Sequence, residues 1–422
     1  MIKKLFLQYR NNQLFKQALT LYMVNIIGIP LSIITSVIIT RFLGPSSYGD
    51  YKFLFNIFNL SIVIFSLGFF QAGNRALVLN KDSQKAKEYY GAELIIVLVL
   101  FITMSLFLLG YAFFDNNINE KGLRNIFICL IPFSWMFFLV QYFEVLFQAD
   151  NKIKLLARSR LFPQLVFFIA ILVVYLSFFN YQGNRLTIIW SIFIFTQIIV
   201  FLHIFYKINP LFKNIKTRIK EILFFNKTYG FNVYLGSICA VGFSQLTGIL
   251  ISYFANNNSG VGYYSLAMTI AGPLSFIPNV IATTHYKEFS TRTSISRKLM
   301  LITITISLSA LILILILVGP FIKLFYGIKF APVISLSYLV CFGVILNGLA
   351  DFLNRFLGSH GKGKSLRNSS IIVGFSLLIL NITFIPRFGE TGAAYTLFLS
   401  GLIYFLCMLW FYKKLIIELK NV

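Results

Sequence analysis

The sequence predicts an all-α integral membrane protein of twelve transmembrane helices, and three observations support this fold class. Apolar residues make up 58 % of the chain and charged residues only 12 %, whereas soluble domains are near half apolar and a quarter charged. The apolar residues fall into twelve runs, and most of them approach the roughly 20 residues that cross a bilayer as a helix. The basic residues concentrate in alternate connections between those runs.

The twelve predicted spans follow one another with short connections, and the longest connection, residues 207–228, lies near the middle of the chain. The spans occupy residues 18–40, 53–73, 92–114, 126–148, 161–179, 187–206, 229–254, 262–284, 299–318, 331–350, 369–386 and 391–412.

The distribution of Lys and Arg tests both the number of spans and their orientation. With the N-terminus in the cytoplasm, the inside segments hold 29 of the 37 basic residues and the outside segments hold 8. Every inside segment holds more than every outside one, as the positive-inside rule requires. A missed helix would invert this pattern downstream, so the alternation predicts an even number of spans with both ends in the cytoplasm.

The two halves of the sequence resemble each other faintly. Gly49 and Tyr51 after the first span match Gly262 and Tyr264 after the seventh at an offset of 213 residues. The basic turn after the fourth span, DNKIK, corresponds to HGKGK after the tenth. A repeat of six spans gives both halves the same orientation, so the sequence predicts a pseudo-two-fold axis along the membrane normal.

The predicted domains are therefore an N-terminal six-helix lobe, residues 1–215, and a C-terminal six-helix lobe, residues 216–422. Transporters built from such repeats place the substrate between the halves, and we expect a central cavity there. The first, second and seventh spans carry the most polar residues, among them Asn25, Asn56 and Gln245. These three side chains are candidates to line the cavity.

Charged residues at the edges of spans are the other candidates, since a charge in lipid is costly. Arg41 ends the first span, Arg75 follows the second and Glu144 lies in the fourth. Each could instead form an interfacial contact or an ion pair between helices. We assign Arg41 and Arg75 to substrate binding and Glu144 to ion coupling.

Other sequence features predict no cofactor. Residues 358–365, GSHGKGKS, satisfy the phosphate-loop pattern, but that pattern binds nucleotide only between a strand and a helix of an α/β domain. The three histidines and four cysteines are scattered, which predicts no metal site.

The net charge of +24 is explained by basic residues in cytoplasmic loops, so we expect no nucleic-acid or nucleotide partner. No catalytic residue is assigned, and we expect a transporter and not an enzyme.

Two stretches carry a resemblance to a known family. RFLGPSSYGDY at residues 41–51 and LNITFIPRFGETGAAY at residues 380–395 resemble the first and last junctions of Wzx-type O-antigen and polysaccharide flippases. These belong to the multidrug/oligosaccharidyl-lipid/polysaccharide exporter superfamily. The resemblance covers essentially the full length at the expected size.

This resemblance implies a flippase that moves an undecaprenyl-pyrophosphate-linked oligosaccharide, an O-antigen or other surface-polysaccharide unit, from the cytoplasmic to the outer leaflet by alternating access. It implies a multi-pass protein of the bacterial inner membrane. It also implies that Arg41 and Arg75 contact the pyrophosphate. The expected partners are the lipid-linked oligosaccharide, membrane lipid and other membrane proteins of polysaccharide assembly.

Two alternatives stay open at this point. A multidrug cation antiporter of the same superfamily would need acidic residues deep in its cavity, and only Glu144 is a candidate. A membrane-embedded lipid-linked glycan polymerase or ligase would need a large outer loop, whereas the longest predicted outer connection is about a dozen residues.

Overall fold

The computed structural model describes residues 13–80, 82–177 and 183–420, and helices make up nearly all of these ranges. The first twelve residues and the last two residues of the predicted fifth span, 178 and 179, lie outside them. The α-helices are α1 Gln13–Phe65, α2 Phe69–Leu79, α3 Ser83–Phe114, α4 Asn116–Glu120, α5 Arg124–Leu130, α6 Trp135–Ala149, α7 Ile153–Ser177, α8 Arg185–Ile208, α9 Ile215–Phe225, α10 Phe231–Ser237, α11 Phe243–Tyr253, α12 Ser259–Ala271, α13 Pro273–Thr284, α14 Tyr286–Phe289, α15 Arg297–Phe321, α16 Pro332–Ser359 and α17 Gly363–Lys420.

Within the described ranges, eight helical segments are long and apolar enough to cross a membrane, and the bent pair Arg124–Phe133 and Trp135–Ala149 would make a ninth. Two of the eight contain a sharp bend at a glycine, Gly44 in α1 and Gly389 in α17. Helix α17 carries the predicted eleventh and twelfth spans. Helix α1 carries the first span and only residues 53–65 of the second, because residues 66–68 separate it from α2, so the predicted continuous second span is corrected. The all-helical membrane class is confirmed, and the number of twelve crossings stays a prediction.

The bends at Gly44 and Gly389 lie at the junctions where the sequence predicts turns between spans. Their φ angles are 77° and 56°, in the left-handed region that glycine adopts without a steric penalty. The chain therefore bends at these two residues, and helix continues directly on either side of each bend.

The predicted seventh and eighth spans are each interrupted. Asn226–Gly230 and Ile238–Gly242 form π-helical turns on either side of α10, and such turns are frequent at functional sites. In the eighth, α12 ends before Gly272 and α13 begins at Pro273. Proline is tolerated at a first helical position because its missing N–H would be unpaired there.

The chain divides into two compact units. Unit 1 contains Met1–Phe42 and Ser61–Leu235, and unit 2 contains Leu43–Leu60 and Gly236–Val422. This division by contacts differs from the predicted lobes, 1–215 and 216–422, at residues 43–60 and 216–235. The two symmetric six-helix lobes therefore stay a prediction.

Each unit has its own packed interior. In unit 1, α7 packs on α8, α2 on α6, and α9 on α2 and α3. In unit 2, α16 is the central helix and packs against α12, α13, α15 and α17. A cluster around Phe289, Phe356 and Tyr412 forms part of the core of unit 2.

Helix α15 has small polar residues on its buried face and large apolar residues on its exposed face. Its buried residues include Thr303 and Ser307, whereas Leu301 and Ile316 are about two-thirds exposed. Thr303 donates to the Leu299 carbonyl at 2.8 Å. Small polar residues face neighbouring helices and large apolar residues face outward, which is the arrangement expected of a membrane helix.

Candidate functional site

A polar cavity of about 400 Å³ lies within unit 2. The second limb of α1, α11, α12 and α17 enclose it. We name it the cation cavity, because Lys52 is the one lining residue with a formal charge. The polar lining residues are Lys52, Asn56, Asn59, Ser244, Gln245, Thr247, Tyr264, Ser265, Thr269 and Thr396.

The α1 limb after Gly44 places three polar side chains on one face. Lys52, Asn56 and Asn59 are spaced by four and three residues, and residues at this spacing lie above one another on a helix. A Cβ atom added at Gly248 would lie 2.0 Å from the Asn56 amide nitrogen. The glycine therefore leaves the space that the amide occupies.

The Lys52 ammonium is surrounded by aromatic rings. Its nitrogen lies 5.5 Å from the centroid of Tyr48, 5.8 Å from Tyr51 and 5.9 Å from Phe55. These distances are near the outer limit of a cation–π contact. Among the described carboxylates, none lies within ion-pair distance of it. The lysine charge is thus available to an anion that enters the cavity.

Several lining hydroxyl and amide groups already donate their hydrogens to the helix backbone. Ser244 donates to the Val241 carbonyl at 2.7 Å, Thr269 to Ser265 at 2.9 Å and Asn59 to Phe55 at 3.0 Å. Their oxygens keep lone pairs that can accept from a ligand. The cavity therefore offers one cation together with hydrogen-bond acceptors, a combination that suits an anionic, hydroxyl-bearing molecule.

Two threonines of this cavity differ in their partners. Thr247 accepts a hydrogen bond from Asn381 at 2.9 Å. The Thr396 hydroxyl is buried and has no partner within the described part of the chain. A buried polar group without a partner is uncommon and costly, so Thr396 is a candidate to contact a bound ligand.

The matching repeat residues meet at one end of the same unit. A Cβ at Gly49 would lie 1.7 Å from the Asn258 carbonyl oxygen, and a Cβ at Gly262 would lie 2.9 Å from the Pro45 carbonyl oxygen. Asn258 donates to Asp50 at 2.8 Å. The sequence resemblance between these two helical segments thus coincides with close packing that a side chain larger than glycine would obstruct.

A second cavity of unit 2, about 420 Å³ in volume, contains a carboxylate, and we name it the carboxylate cavity. It shares Ser244, Met268, Leu377 and Leu397 with the cation cavity. The predicted tenth span, 331–350, is too short, because α16 continues to Ser359. Asp351 therefore lies inside the helix, and it lines this cavity.

The structure brings together two of the predicted site residues, Asn56 and Gln245, which both line the cation cavity. Asn25 and Arg41 lie on the first limb of α1 in unit 1, where Asn25 is half-buried and Arg41 is exposed. Arg75 is exposed on α2, with its guanidinium carbon 5.8 Å from the Tyr229 ring centroid. The binding roles of all five stay predictions.

Glu144, the predicted ion-coupling residue, forms an ion pair in unit 1. The Arg160 guanidinium donates to it at 2.6 Å, and both side chains are one-third to one-half exposed. The sequence analysis gives such an ion pair between helices as the alternative to a functional role for Glu144. The ion-coupling role of Glu144 stays a prediction.

Lys52 is the site residue that the sequence analysis missed. It lies one residue before the predicted second span, so the sequence places it in an outer connection. The spacing of Lys52, Asn56 and Asn59 on one helical face was the signal that could have identified it. The helix resumes directly after the bend at Gly44, so Lys52 lies in a helical limb and not in a loop.

A charged cluster of unit 1, which we name the latch, joins α9 to α3. Arg218 pairs with Glu88 at 2.8 Å and with Glu221 at 2.7 Å. Tyr89 donates to Glu221, and Asn214 donates to Glu88 at 3.0 Å. The Glu88 carboxylate, together with Glu221, raises the pKa of Arg218 above its usual value.

The latch also fixes the ionisation of Glu221. Burial opposes the charged form, but hydrogen bonds from Tyr89 and Arg218 hold the pKa of Glu221 below its usual value. Every charge of the latch therefore has a partner of opposite sign.

The phosphate-loop pattern at residues 358–365 has no nucleotide-binding context. It spans the last turn of α16, a short turn and the start of α17. No strand occurs in residues 13–80, 82–177 or 183–420. The pattern therefore lies in a helix–turn–helix connection.

The chain is similar in sequence to proteins of polysaccharide assembly. Residues 14–290 match the family described as "Polysaccharide biosynthesis protein". A curated relative, the capsular polysaccharide biosynthesis protein CapF of Staphylococcus aureus, is 22 % identical over 409 residues, which cover 94 % of this chain and 98 % of the relative.

Solved structures share the fold. The lipid II flippase MurJ in an inward closed conformation superposes with a TM-score of 0.74 at 16 % identity, covering 93 % of this chain and 87 % of that one. A multidrug resistance transporter of the MATE family in an inward-facing conformation gives a TM-score of 0.69 at 16 % identity, covering 94 % of this chain and 98 % of that one.

These similarities agree with the all-helical membrane fold, and the resemblance at residues 41–51 and 380–395 is confirmed. The chain is a multi-pass membrane protein and belongs to the polysaccharide biosynthesis protein family.

Proposed function

We propose that the chain is a flippase that moves an undecaprenyl-pyrophosphate-linked oligosaccharide from the cytoplasmic to the outer leaflet by alternating access. The observation that carries this proposal is Lys52, a lysine that has no ion-paired carboxylate among the described residues and lines a polar cavity inside an apolar helical unit. Family membership and the name of the relative CapF support a surface-polysaccharide unit, of O-antigen or capsular type, as the glycan.

The physical problem is the polar head group. Each unpaired polar group costs several kcal/mol in hydrocarbon, and each charge costs more. A cavity that offers an ammonium and hydrogen-bonding side chains replaces the lost hydration, while the polyprenyl tail can stay in lipid. Lys52 would contact the pyrophosphate, and Asn56 and Gln245 would bind polar groups beside it.

The direction of transport follows from charge. Moving a negative charge outward across an inside-negative membrane is downhill by about 2.3 kcal/mol per charge for every 100 mV. We propose that this potential drives export. Ion coupling through Glu144 would add to it and would require that its pair with Arg160 open during the cycle.

Arg41 and Arg75 remain proposed pyrophosphate ligands. The forked guanidinium suits bidentate contact with phosphate oxygens. We expect Arg41→Ala and Arg75→Ala each to impair export while membrane insertion remains normal. Wild-type export by both variants would remove them from the site.

The cation cavity disfavours the first of the two alternative functions, and the short outer segments disfavour the second. A multidrug cation antiporter is disfavoured because Lys52 would repel a cationic drug. A glycan polymerase or ligase is disfavoured because the outer segment 115–123 is largely taken up by the short helix α4. We propose a transporter without an enzymatic step. It would lie in the bacterial inner membrane with both termini in the cytoplasm, beside other polysaccharide-assembly proteins.

Deletion of the gene followed by lipid analysis tests the proposal. We expect a lipid-linked oligosaccharide to accumulate on the cytoplasmic leaflet and to be cleared when the wild-type chain is restored. Unchanged efflux of a cationic dye such as rhodamine would separate this function from drug export. If no lipid-linked species accumulates, the flippase assignment is wrong.

A further inference from the structure

We propose that the carboxylate cavity is a glycan subsite, which binds uncharged, hydroxyl-rich sugar residues while the cation cavity holds the pyrophosphate. This inference rests on the proposed flippase function and names the part of the substrate that each cavity takes. It assigns a binding role to Asp351 and Tyr404, neither of which the sequence analysis placed in a site.

The two cavities are neighbours within unit 2. Ser244, Met268, Leu377 and Leu397 line both of them, so a single molecule with two joined polar parts can occupy both. The volume of the carboxylate cavity, about 420 Å³, falls in the range of ligand pockets, roughly 300–1,000 Å³.

The carboxylate is held in place by neutral donors. The Tyr404 hydroxyl donates to one Asp351 oxygen at 2.9 Å, and Asn354 donates to that hydroxyl at 2.9 Å. Asn279 approaches the other carboxylate oxygen at 3.4 Å. A carboxylate has about four lone-pair sites, so Asp351 can still accept from sugar hydroxyls.

The rest of the lining supplies further acceptors. Ser370 donates to Leu366 at 3.0 Å, Ser400 to Leu397 at 3.2 Å and Ser275 to Gly272 at 2.9 Å. Because these hydrogens are directed to the helix backbone, the hydroxyl oxygens remain as acceptors. Sugars carry many hydroxyl donors in a small volume, so their chemistry matches a cavity that is rich in acceptors.

The opposite charges of the two cavities discriminate between the parts of the head group. Lys52 attracts a phosphate, and Asp351 repels one. The nearby charged residue on the same helix, Arg355, is exposed. A head group with phosphate at one end and neutral sugar at the other therefore has one favoured orientation.

Two lipids test this assignment on the purified full-length chain in nanodiscs. One is the lipid-linked oligosaccharide extracted from cells that lack the chain, and the other is undecaprenyl pyrophosphate without a glycan. Dissociation constants are measured for the wild type, Asp351→Asn, Ser400→Ala and Lys52→Met. Melting temperatures of all variants check that they are folded.

We expect Asp351→Asn to weaken binding of the glycan-bearing lipid by about tenfold, since it removes a charged acceptor. The affinity for undecaprenyl pyrophosphate should stay within about twofold or tighten, because a repulsive charge is lost. Ser400→Ala should act in the same direction more weakly. Lys52→Met should weaken binding of both lipids.

Two outcomes for Asp351→Asn would overturn the glycan subsite. One is an equal effect of Asp351→Asn on the two lipids, and the other is no effect on either. A wild type that binds undecaprenyl pyrophosphate but gains nothing from the glycan would also overturn it and would leave the flippase proposal intact. Failure of the wild type to bind either lipid would instead reject the proposed function.

Discussion

The latch in unit 1 and the cation cavity in unit 2 treat charge in opposite ways. In the latch, Arg218 contacts two carboxylates, and its side chain is only 12 % exposed. In the cation cavity, Lys52 faces three aromatic rings and no described carboxylate. The charges of the latch are paired with one another, whereas the Lys52 charge in the cation cavity is not paired with any described carboxylate.

This difference separates structural charges from functional ones. A paired charge contributes to holding two helices together, and removing one partner leaves the other desolvated without compensation. A cation with no acidic partner adds little to the fold, because desolvation costs free energy without a Coulombic return. Such a cation is useful where a bound anionic ligand supplies the opposite charge. The latch and the cation cavity should therefore respond differently to mutation.

The largest effect is expected from Lys52→Met, which removes the cation and keeps an apolar side chain of similar length. Export should fall about tenfold to a hundredfold, because a hydrogen bond to a charged group is worth about 1.5–3 kcal/mol. Surface-polysaccharide yield and accumulation of the lipid-linked oligosaccharide measure this. The melting temperature should not fall.

The matched control is Lys323→Met, which changes an exposed lysine of the same unit and should export normally. If Lys52→Met lowers abundance as much as export, the lysine is structural and the contrast with the latch disappears.

Arg218→Ala is expected to reverse that pattern. It leaves the Glu88 carboxylate, 7 % exposed, without its cation. The melting temperature in detergent should fall by a few degrees, on the order of 2–4 °C, while the Kd for the lipid-linked oligosaccharide stays unchanged. Lys220→Ala, an exposed position on the same helix, should change neither. A weaker substrate affinity in Arg218→Ala would assign the latch to the binding site.

Two threonine variants sharpen the comparison inside the cation cavity. Thr396→Val removes a hydroxyl without a described partner, so stability should be unchanged or slightly higher while substrate affinity falls by about twofold to tenfold. Thr247→Val removes the acceptor of Asn381 and should lower the free energy of unfolding by about 1–3 kcal/mol. Chemical denaturation and lipid binding distinguish the two outcomes, and equal losses of stability would contradict the argument.

The smallest expected effect is on the melting temperature at acidic pH. Because the latch holds the pKa of Glu221 below its usual value, its stabilisation is complete above the pKa of the unfolded chain. It is lost as pH falls through the lower pKa of the folded state. The melting temperature of the wild type should therefore decline more steeply below about pH 4.5 than that of Glu221→Gln. Parallel profiles would show that the carboxylate contributes nothing.

Much of the fold followed from local sequence. Long apolar runs predict helices wherever lipid is the solvent, and Gly44 and Gly389 mark the two bends because no other residue enters that backbone region at low cost. The polar spans also predicted Asn56 and Gln245 as candidates, and both line the cation cavity. Each of these signals lies within a short stretch of the sequence, so it can be recognised without knowing which helices pack together.

The remaining parts of the site depend on partners distant in sequence. Lys52 looked like an ordinary loop lysine, and Asp351 looked like a residue at a helix end. Their surroundings come from helices up to about 345 residues away along the chain, such as the one that carries Thr396. No spacing rule connects such positions. The sequence therefore predicts site residues only from their charge near the spans, and these are Arg41, Arg75 and Glu144.

By itself the sequence determined the membrane class, the predicted orientation and the family, because hydrophobic length, basic-residue asymmetry and short junction motifs are written along the chain. Only the tertiary structure decided which charges are paired and which face a cavity. Pairing depends on distances between helices, and the free energy of a buried charge is set by the atoms that surround it.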